Sequence, residues 1–328
     1  MTESPTVSPL ETAADRFPVR YWTAPDGVRI AYVRRGEGGV PLVLAHGWPG
    51  SKRLFWKVVE PLAEAGFDVV APDARGFGDS DVPGDPAGFA DLGLSATDLH
   101  GLLTSLGIDS CVAAGGDFGA GVVQDLAARC PGLVRRMVLW NGVAAPLDDE
   151  YARAGIAPGQ LGEIELISDH LQDNGLAADA TCAALGSDAE RRAHVRGYLT
   201  ARAYRAGGPP LRLAAPGAFT EEELDFQLEP FGDAARLRAT LGYYEGLFRP
   251  ELCPVPTVLG TPARDTETLV LYGVEDEIVG PSLPRRHAIA YPNHVGPFLV
   301  QDSGHFVPWE APGVFVSAVR SFARDLLA

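Results

Sequence analysis

Three short apolar runs, at 41–45, 68–71 and 111–114, restrict this chain more than any other feature. Each stops abruptly on a loop of small residues and is followed by a helical pattern. A continuous apolar run marks a strand buried on both faces, and strands alternating with helices mark a parallel, doubly wound sheet. A further strand is expected at 136–140. Beyond 142 the alternation gives way to helix-like segments at 164–174, 188–206, 221–229 and 233–248. It resumes with a strand at 268–273, a helix near 282–291, a strand at 296–300 and a last helix at 314–327. Near the start, 21–24 and 28–34 flank Pro25-Asp26-Gly27, the pattern of an antiparallel hairpin at a sheet edge. The expected class is α/β. Residues 1–15 read as a disordered tail, 16–141 and 266–328 as two parts of one core, and 142–265 as an inserted helical unit.

Ligands of such sheets bind at the carboxyl ends of the strands, so the loops there come first. They are His46-Gly47-Trp48-Pro49, Arg75-Gly76-Phe77-Gly78-Asp79-Ser80 and Gly115-Gly116-Asp117-Phe118-Gly119. The last lies between a strand and a helical pattern at 120–129. A turn this sharp strains its central residue and needs small neighbours; its usual form is Gly-x-Ser-x-Gly. Here the centre is Asp117, and the first N–H groups of the following helix suit a carboxylate. Gly273-Val274-Glu275-Asp276 and Gly304-His305-Phe306 each follow a later strand, which gives the order nucleophile, acid, histidine.

On these motifs the chain resembles the α/β-hydrolase superfamily, and within it the Asp-nucleophile branch of epoxide hydrolases and haloalkane dehalogenases. The resemblance implies the α/β-hydrolase fold, a mostly parallel twisted sheet flanked by helices, with 142–265 as a helical cap. It implies Asp117 as nucleophile, His305 as base and Asp276 as the acid that orients it. The backbone N–H groups of Trp48 and Phe118 become the oxyanion donors. Leu241-Gly242-Tyr243-Tyr244-Glu245 is similar to the family's segment near the end of the cap, where Tyr244 matches the ring-opening acid. Its partner stays open among His170, Tyr198 and Tyr204.

The chemistry independently favours Asp for an sp3 electrophile. A Ser attacking saturated carbon would form an ether that water cannot readily cleave, whereas a carboxylate forms an ester that keeps a carbonyl to attack. Phe118 has no side-chain N–H for a leaving halide, 120–128 contains no Arg, and Trp48 stands where haloalkane dehalogenases typically have Asn. These features favour epoxide opening over dehalogenation by the same triad, with a non-catalytic small-molecule-binding protein as the rival from another class. Trp48, Phe118 and Trp140 suggest an uncharged, hydrophobic, epoxide-type substrate that reacts with water, and the loops 207–210 and 253–268 are expected to shape the entrance. A formal charge of −16 argues against nucleic acid and anionic membranes as partners. The four scattered cysteines lack metal-ligand spacing, no apolar run reaches about 18 residues, and no secretory leader is evident. The expectation is a cytoplasmic enzyme that could form a homodimer, with no metal and no organic cofactor.

Overall fold

The apolar runs become a sheet whose loops meet at one edge. The computed structural model describes residues 17–89, 91–157, 169–203 and 210–328. The expected tail, Tyr204, 207–209 and the start of the helix expected at 164–174 lie outside the described residues. Eight strands form the sheet: β1 (Arg20–Thr23), β2 (Arg29–Arg35), β3 (Val40–Ala45), β4 (Phe67–Pro72), β5 (Cys111–Asp117), β6 (Val134–Gly142), β7 (Glu267–Gly273) and β8 (His294–Val300). Their spatial order is β1-β2-β4-β3-β5-β6-β7-β8. The hairpin β1–β2 and the β2–β4 pair are antiparallel, and every other neighbour is parallel. In the central strands Leu42, Val43, Leu44, Val112, Ala113 and Ala114 are buried to 0% exposure. That is why these runs show no polar alternation.

Helices cover the sheet in two groups. In one, α1 (Trp56–Glu64) buries Val58, Val59 and Leu62; in the other, α2 (Leu92–Ser105) packs on α3 (Phe118–Arg129). Asp91 begins α2 by accepting from the N–H groups of Gly93 and Leu94, which satisfies two donors left over at the helix start. Among the described residues, no helix is long and apolar enough to cross a membrane.

The insertion contributes α4 (Asp148–Arg153), α5 (Asp169–Leu176), α6 (Ala178–Ala183), α7 (Asp188–Leu199), α8 (Glu221–Leu228), α9 (Ala234–Thr240) and α10 (Gly242–Phe248). Capping boxes start two of these, Ser187 with Glu190 for α7 and Thr220 with Glu223 for α8. Two expected helices come out shorter. The pattern over 188–206 ends at Leu199, because Arg202–Ala203 pairs instead with Pro210–Leu211 in a small ribbon. The pattern over 233–248 breaks at Leu241-Gly242 into α9 and α10, the second of which buries Tyr243 and Tyr244. The core then resumes with β7, α11 (Leu283–Ala290), β8, α12 (Val307–Glu310) and α13 (Pro312–Phe322).

The Arg75–Ser80 loop is a charged brace and lines no part of the substrate cavity. Arg75 pairs with Asp98 at 2.5 Å and also with Asp26, and these carboxylates raise its pKa although burial alone would lower it. Asp73 is fully buried and accepts from the backbone of Lys52 and Asp79 and from the Lys52 ammonium at 2.5 Å. Removing one member of a buried ion pair strands the other charge. Lys52→Met is therefore expected to lower unfolding free energy by about 3–5 kcal/mol, measured by denaturant titration; a loss below about 0.5 kcal/mol, the size of an ordinary surface change, would contradict this role.

Candidate active site

The parallel register brings the ends of β3, β5, β6 and β7 side by side, with Ala45 beside Gly115 and Gly116 beside Trp140. Asp117 closes β5 at φ 53° and ψ −131°, a conformation that L-residues rarely adopt. Its neighbours must be glycine for steric reasons. A Cβ on Gly115 would meet the Gly119 carbonyl, one on Gly119 the Ala45 carbonyl, and one on Gly142 the Asp117 backbone nitrogen.

The Asp117 carboxylate has distinct surroundings on its two oxygens. Oδ1 accepts the Trp48 N–H at 2.7 Å. The side chain caps none of the N–H groups of α3, so of the two expected oxyanion donors Trp48 is engaged and Phe118 is not. The Trp48 loop is fixed by His46, whose Nε2 accepts the Ala74 N–H at 3.0 Å. Its proton therefore sits on Nδ1, which donates to the Gly47 carbonyl at 3.0 Å. Burial lowers the His46 pKa, so this histidine is a neutral brace.

Oδ2 of Asp117 lies 3.3 Å from Nε2 of His305. That buried nitrogen forms no hydrogen bond among the described residues. On the other side of the ring, Nδ1 donates to Asp276 Oδ2 at 2.7 Å, which fixes the tautomer. Burial alone would lower the His305 pKa, but the charges of Asp276 and Asp117 outweigh it and raise the value to about 10. Asp276 is itself held at both oxygens: Oδ1 accepts the N–H groups of Ile278 and Val279, and Oδ2 also accepts Asn141 Nδ2 at 3.0 Å. The three residues expected to act together are thus adjacent.

Two positioning residues carry no motif signal. Asn141, at φ 27°, bonds to both the N–H and the carbonyl of Gly273 and so ties the end of β6 to the end of β7, directly beside Asp276. Its place at the carboxyl end of a strand was the only sequence hint. Glu310 is half-buried and accepts three backbone N–H groups, those of Gly304, Phe306 and Ala215, at 2.7–2.8 Å. Two of them flank His305. Burial raises the Glu310 pKa even though all three donors pull it down.

A cavity of about 100 Å³ opens over Asp117 and His305. Trp48, Phe118, His170, Tyr198 and Tyr244 line it, so the insertion supplies one of its walls. The Trp48 indole meets Tyr198 and Tyr244 edge-on at 4.4 and 5.3 Å, and its Nε1 donates to Thr240 Oγ1 at 3.2 Å. His170 stands 6.0 Å from Tyr244 and 6.2 Å from Tyr198, ring centre to ring centre. Burial raises the Tyr198 pKa and keeps that phenol protonated.

Two expectations are corrected. Trp140 does not reach this cavity; its ring lies behind the elbow against Gly116 and packs on Phe55 and Phe315, because strand alternation turns it away from the nucleophile. The 253–268 stretch does not shape the entrance, and its last two residues already belong to β7. It is anchored on α2 and α3, where Val255 N–H donates to Asp91, Val258 N–H to Asp125, and Arg129 to the Pro256 carbonyl. Among the described residues, no group of three or more His, Cys, Asp or Glu is arranged to hold a metal ion. Burial raises the thiol pKa of all four cysteines, Cys111 to about 12, which keeps them protonated at neutral pH.

The chain is similar to known proteins in both sequence and fold. A family model described as alpha/beta hydrolase fold matches residues 40–312. The chain is 28% identical to the soluble epoxide hydrolase of a Corynebacterium species, covering 92% of this chain and 96% of that protein. It is also 28% identical to epoxide hydrolase A of Mycobacterium tuberculosis, again covering 92% and 96%. Among solved structures, epoxide hydrolase CorEH without ligand superposes with a TM-score of 0.75 at 26% identity, covering 94% of this chain and 99% of that one. Epoxide hydrolase A from Mycobacterium thermoresistibile gives a TM-score of 0.67 at 26% identity, covering 94% and 98%.

His305 ties stability to pH. Its folded pKa of about 10 stands above the ordinary 6.5, so its contribution is complete below about pH 6.5 and is lost as pH rises through 10. Asp117→Asn removes one of the two carboxylates that hold the proton. In a histidine NMR titration the variant is expected to titrate His305 at lower pH than the wild type; an unchanged value would show that the Asp117 charge does not act on the imidazole.

Proposed function

Because the chain belongs to the α/β-hydrolase fold family, we propose that it is an epoxide hydrolase, which opens an oxirane to a vicinal diol through an ester on Asp117. One observation carries the reading: the elbow presents a carboxylate with one oxygen on the Trp48 N–H and the other 3.3 Å from His305. A carboxylate at this position suits attack on saturated carbon. The epoxide hydrolases to which the chain is similar support the same choice.

In the first step Asp117 Oδ2 attacks an oxirane carbon, and the C–O bond of the strained ring breaks. The departing oxygen takes a proton from Tyr244, with His170 and Tyr198 on the same wall of the cavity. Esterification removes the Asp117 charge, so one of the two carboxylates that hold the His305 proton is gone. The imidazole releases that proton, which returns through solvent to the Tyr244 phenolate. In the second step neutral His305 takes a proton from water, and the resulting hydroxide attacks the ester carbonyl. The Trp48 N–H stabilises the oxyanion, and Asp276 stabilises the imidazolium. Collapse of the intermediate releases the diol, restores the Asp117 carboxylate and leaves His305 protonated, as at the start.

Two features favour an oxirane over an alkyl halide. A halide leaves without needing a proton, whereas an alkoxide is stabilised by the phenols and imidazole of the cavity wall. The side chain after the nucleophile, Phe118, offers a halide no hydrogen bond.

Single turnover in H2(18)O separates these chemistries. Expected are a diol carrying unlabelled oxygen and one labelled oxygen in the peptide containing Asp117. Turnover with no label there would overturn the nucleophile assignment, and halide release without diol formation would overturn the substrate class. Tyr244→Phe is expected to reduce kcat for ring opening by about 10²-fold or more, read from the pre-steady-state rate of ester formation. A variant that slows only ester hydrolysis would remove Tyr244 from the first step.

A further inference from the structure

Leu247 marks the mouth of the cavity over Asp117 and His305. Among the described lining residues it is the most exposed, at 38%, whereas Trp48, Phe118, Tyr198 and Tyr244 are all buried. Leu247 follows Tyr244 by three residues on α10, so the two share one face of that helix about a turn apart. That face runs from the phenol inside the cavity to the surface, and an aliphatic side chain stands at its outer end.

Inside the mouth the space is small. An engineered apolar cavity of about 150 Å³ takes one benzene ring, and the space here is about 100 Å³. An oxirane with a short substituent fills it. The inner wall does not give way readily, because the Trp48 indole is bonded to Thr240 and packed edge-on against both Tyr198 and Tyr244. Forcing extra carbons into such packing displaces side chains from their preferred rotamers. A long substituent therefore has the mouth to pass through, along a lining that Leu171 and Leu283 keep apolar. A second bulky group, on the other oxirane carbon, meets the inner wall.

We propose that the substrates are terminal alkyl epoxides, held with the unsubstituted oxirane carbon in the closed chamber and the single alkyl group passing out beside Leu247. Leu247 then sets the width of the substituent that is accepted. This names the substrate class within the epoxide hydrolase reading and rests on it. Asp117 Oδ2 forms its bond to the unsubstituted carbon, the C–O bond to that carbon breaks, and the oxygen left on the substituted carbon takes the proton.

Two isomers of epoxyoctane, one with a terminal oxirane and one with a trans oxirane at mid-chain, differ in where their bulk lies. The wild-type enzyme is expected to favour the terminal isomer in kcat/KM by about tenfold or more; a mid-chain isomer turned over equally well or better would overturn the proposal. Leu247→Trp, at an exposed position, is expected to lower kcat/KM for the terminal epoxyoctane by about tenfold relative to that for propylene oxide. A ratio unchanged from the wild type would overturn the assignment of the mouth. Calorimetry with primary octanol and its mid-chain isomer needs no turnover: tighter binding of the primary alcohol is expected, and equal binding would overturn the one-sided cavity. If neither epoxide is opened while the primary alcohol binds selectively, the epoxide hydrolase reading fails and the one-sided cavity stands.

Discussion

The backbone of Asp117 is the constraint around which the neighbouring chain is organised. Held at φ 53°, it lets β5 turn into α3 within one residue, and the turn works only if strand, helix and adjacent loops approach within backbone contact. The glycines at 115, 119 and 142 serve that approach, since a Cβ on any of them would meet main-chain atoms. Gly47 belongs to the same set from a different strand, because a Cβ there would fall on the Asp117 carboxylate itself. Strain at one residue is thus held in place by missing side chains at four others.

Charge is arranged in the same economical way. Each group to which the proposed mechanism gives a role is fixed by a neighbour outside it: Asp276 by Asn141 and two N–H groups, His305 by Glu310 through the peptides on either side, Trp48 by the neutral His46. Away from the site, Lys52 with Asp73 and Arg75 with Asp98 keep the loops after β3 and β4 in place. The affinity of His305 for its proton depends on two carboxylates, one permanent and one consumed in each proposed cycle. The base would therefore be set by the state of the nucleophile.

Much of this was legible in the sequence. Buried parallel strands write themselves as unbroken apolar runs, and the elbow, the acid and the histidine each follow such a run. The loops after those runs carry short glycine-marked motifs. Asn141 and Glu310 have no such mark, since each acts through contacts with residues distant in the chain: Asn141 with Gly273, Glu310 with Ala215. Trp140 was misjudged because burial and aromaticity alone do not tell which face of a strand a ring occupies. The helix lengths in the insertion were overestimated for a similar reason. Periodicity continued past Leu199 and through Leu241, while the tertiary pairing of 202–203 with 210–211 and the turn at Gly242 decided otherwise.

The segment 212–215 lies within the insertion but is bonded to the loops that hold Asp276 and His305 as if it were core. Arg212 and Glu277 exchange backbone and side-chain bonds, the Leu213 carbonyl accepts the His305 N–H, and Ala215 shares Glu310 with Gly304 and Phe306. In evolutionary terms, this insertion is not a cassette. A chimera that replaced 142–265 as a block would break the bonds that seat the histidine, while one that kept 212–215 and exchanged the helices on either side would spare them. Diversification of such a lid should then proceed piecewise, with one stitched segment changing in step with the core and the rest drifting freely around it.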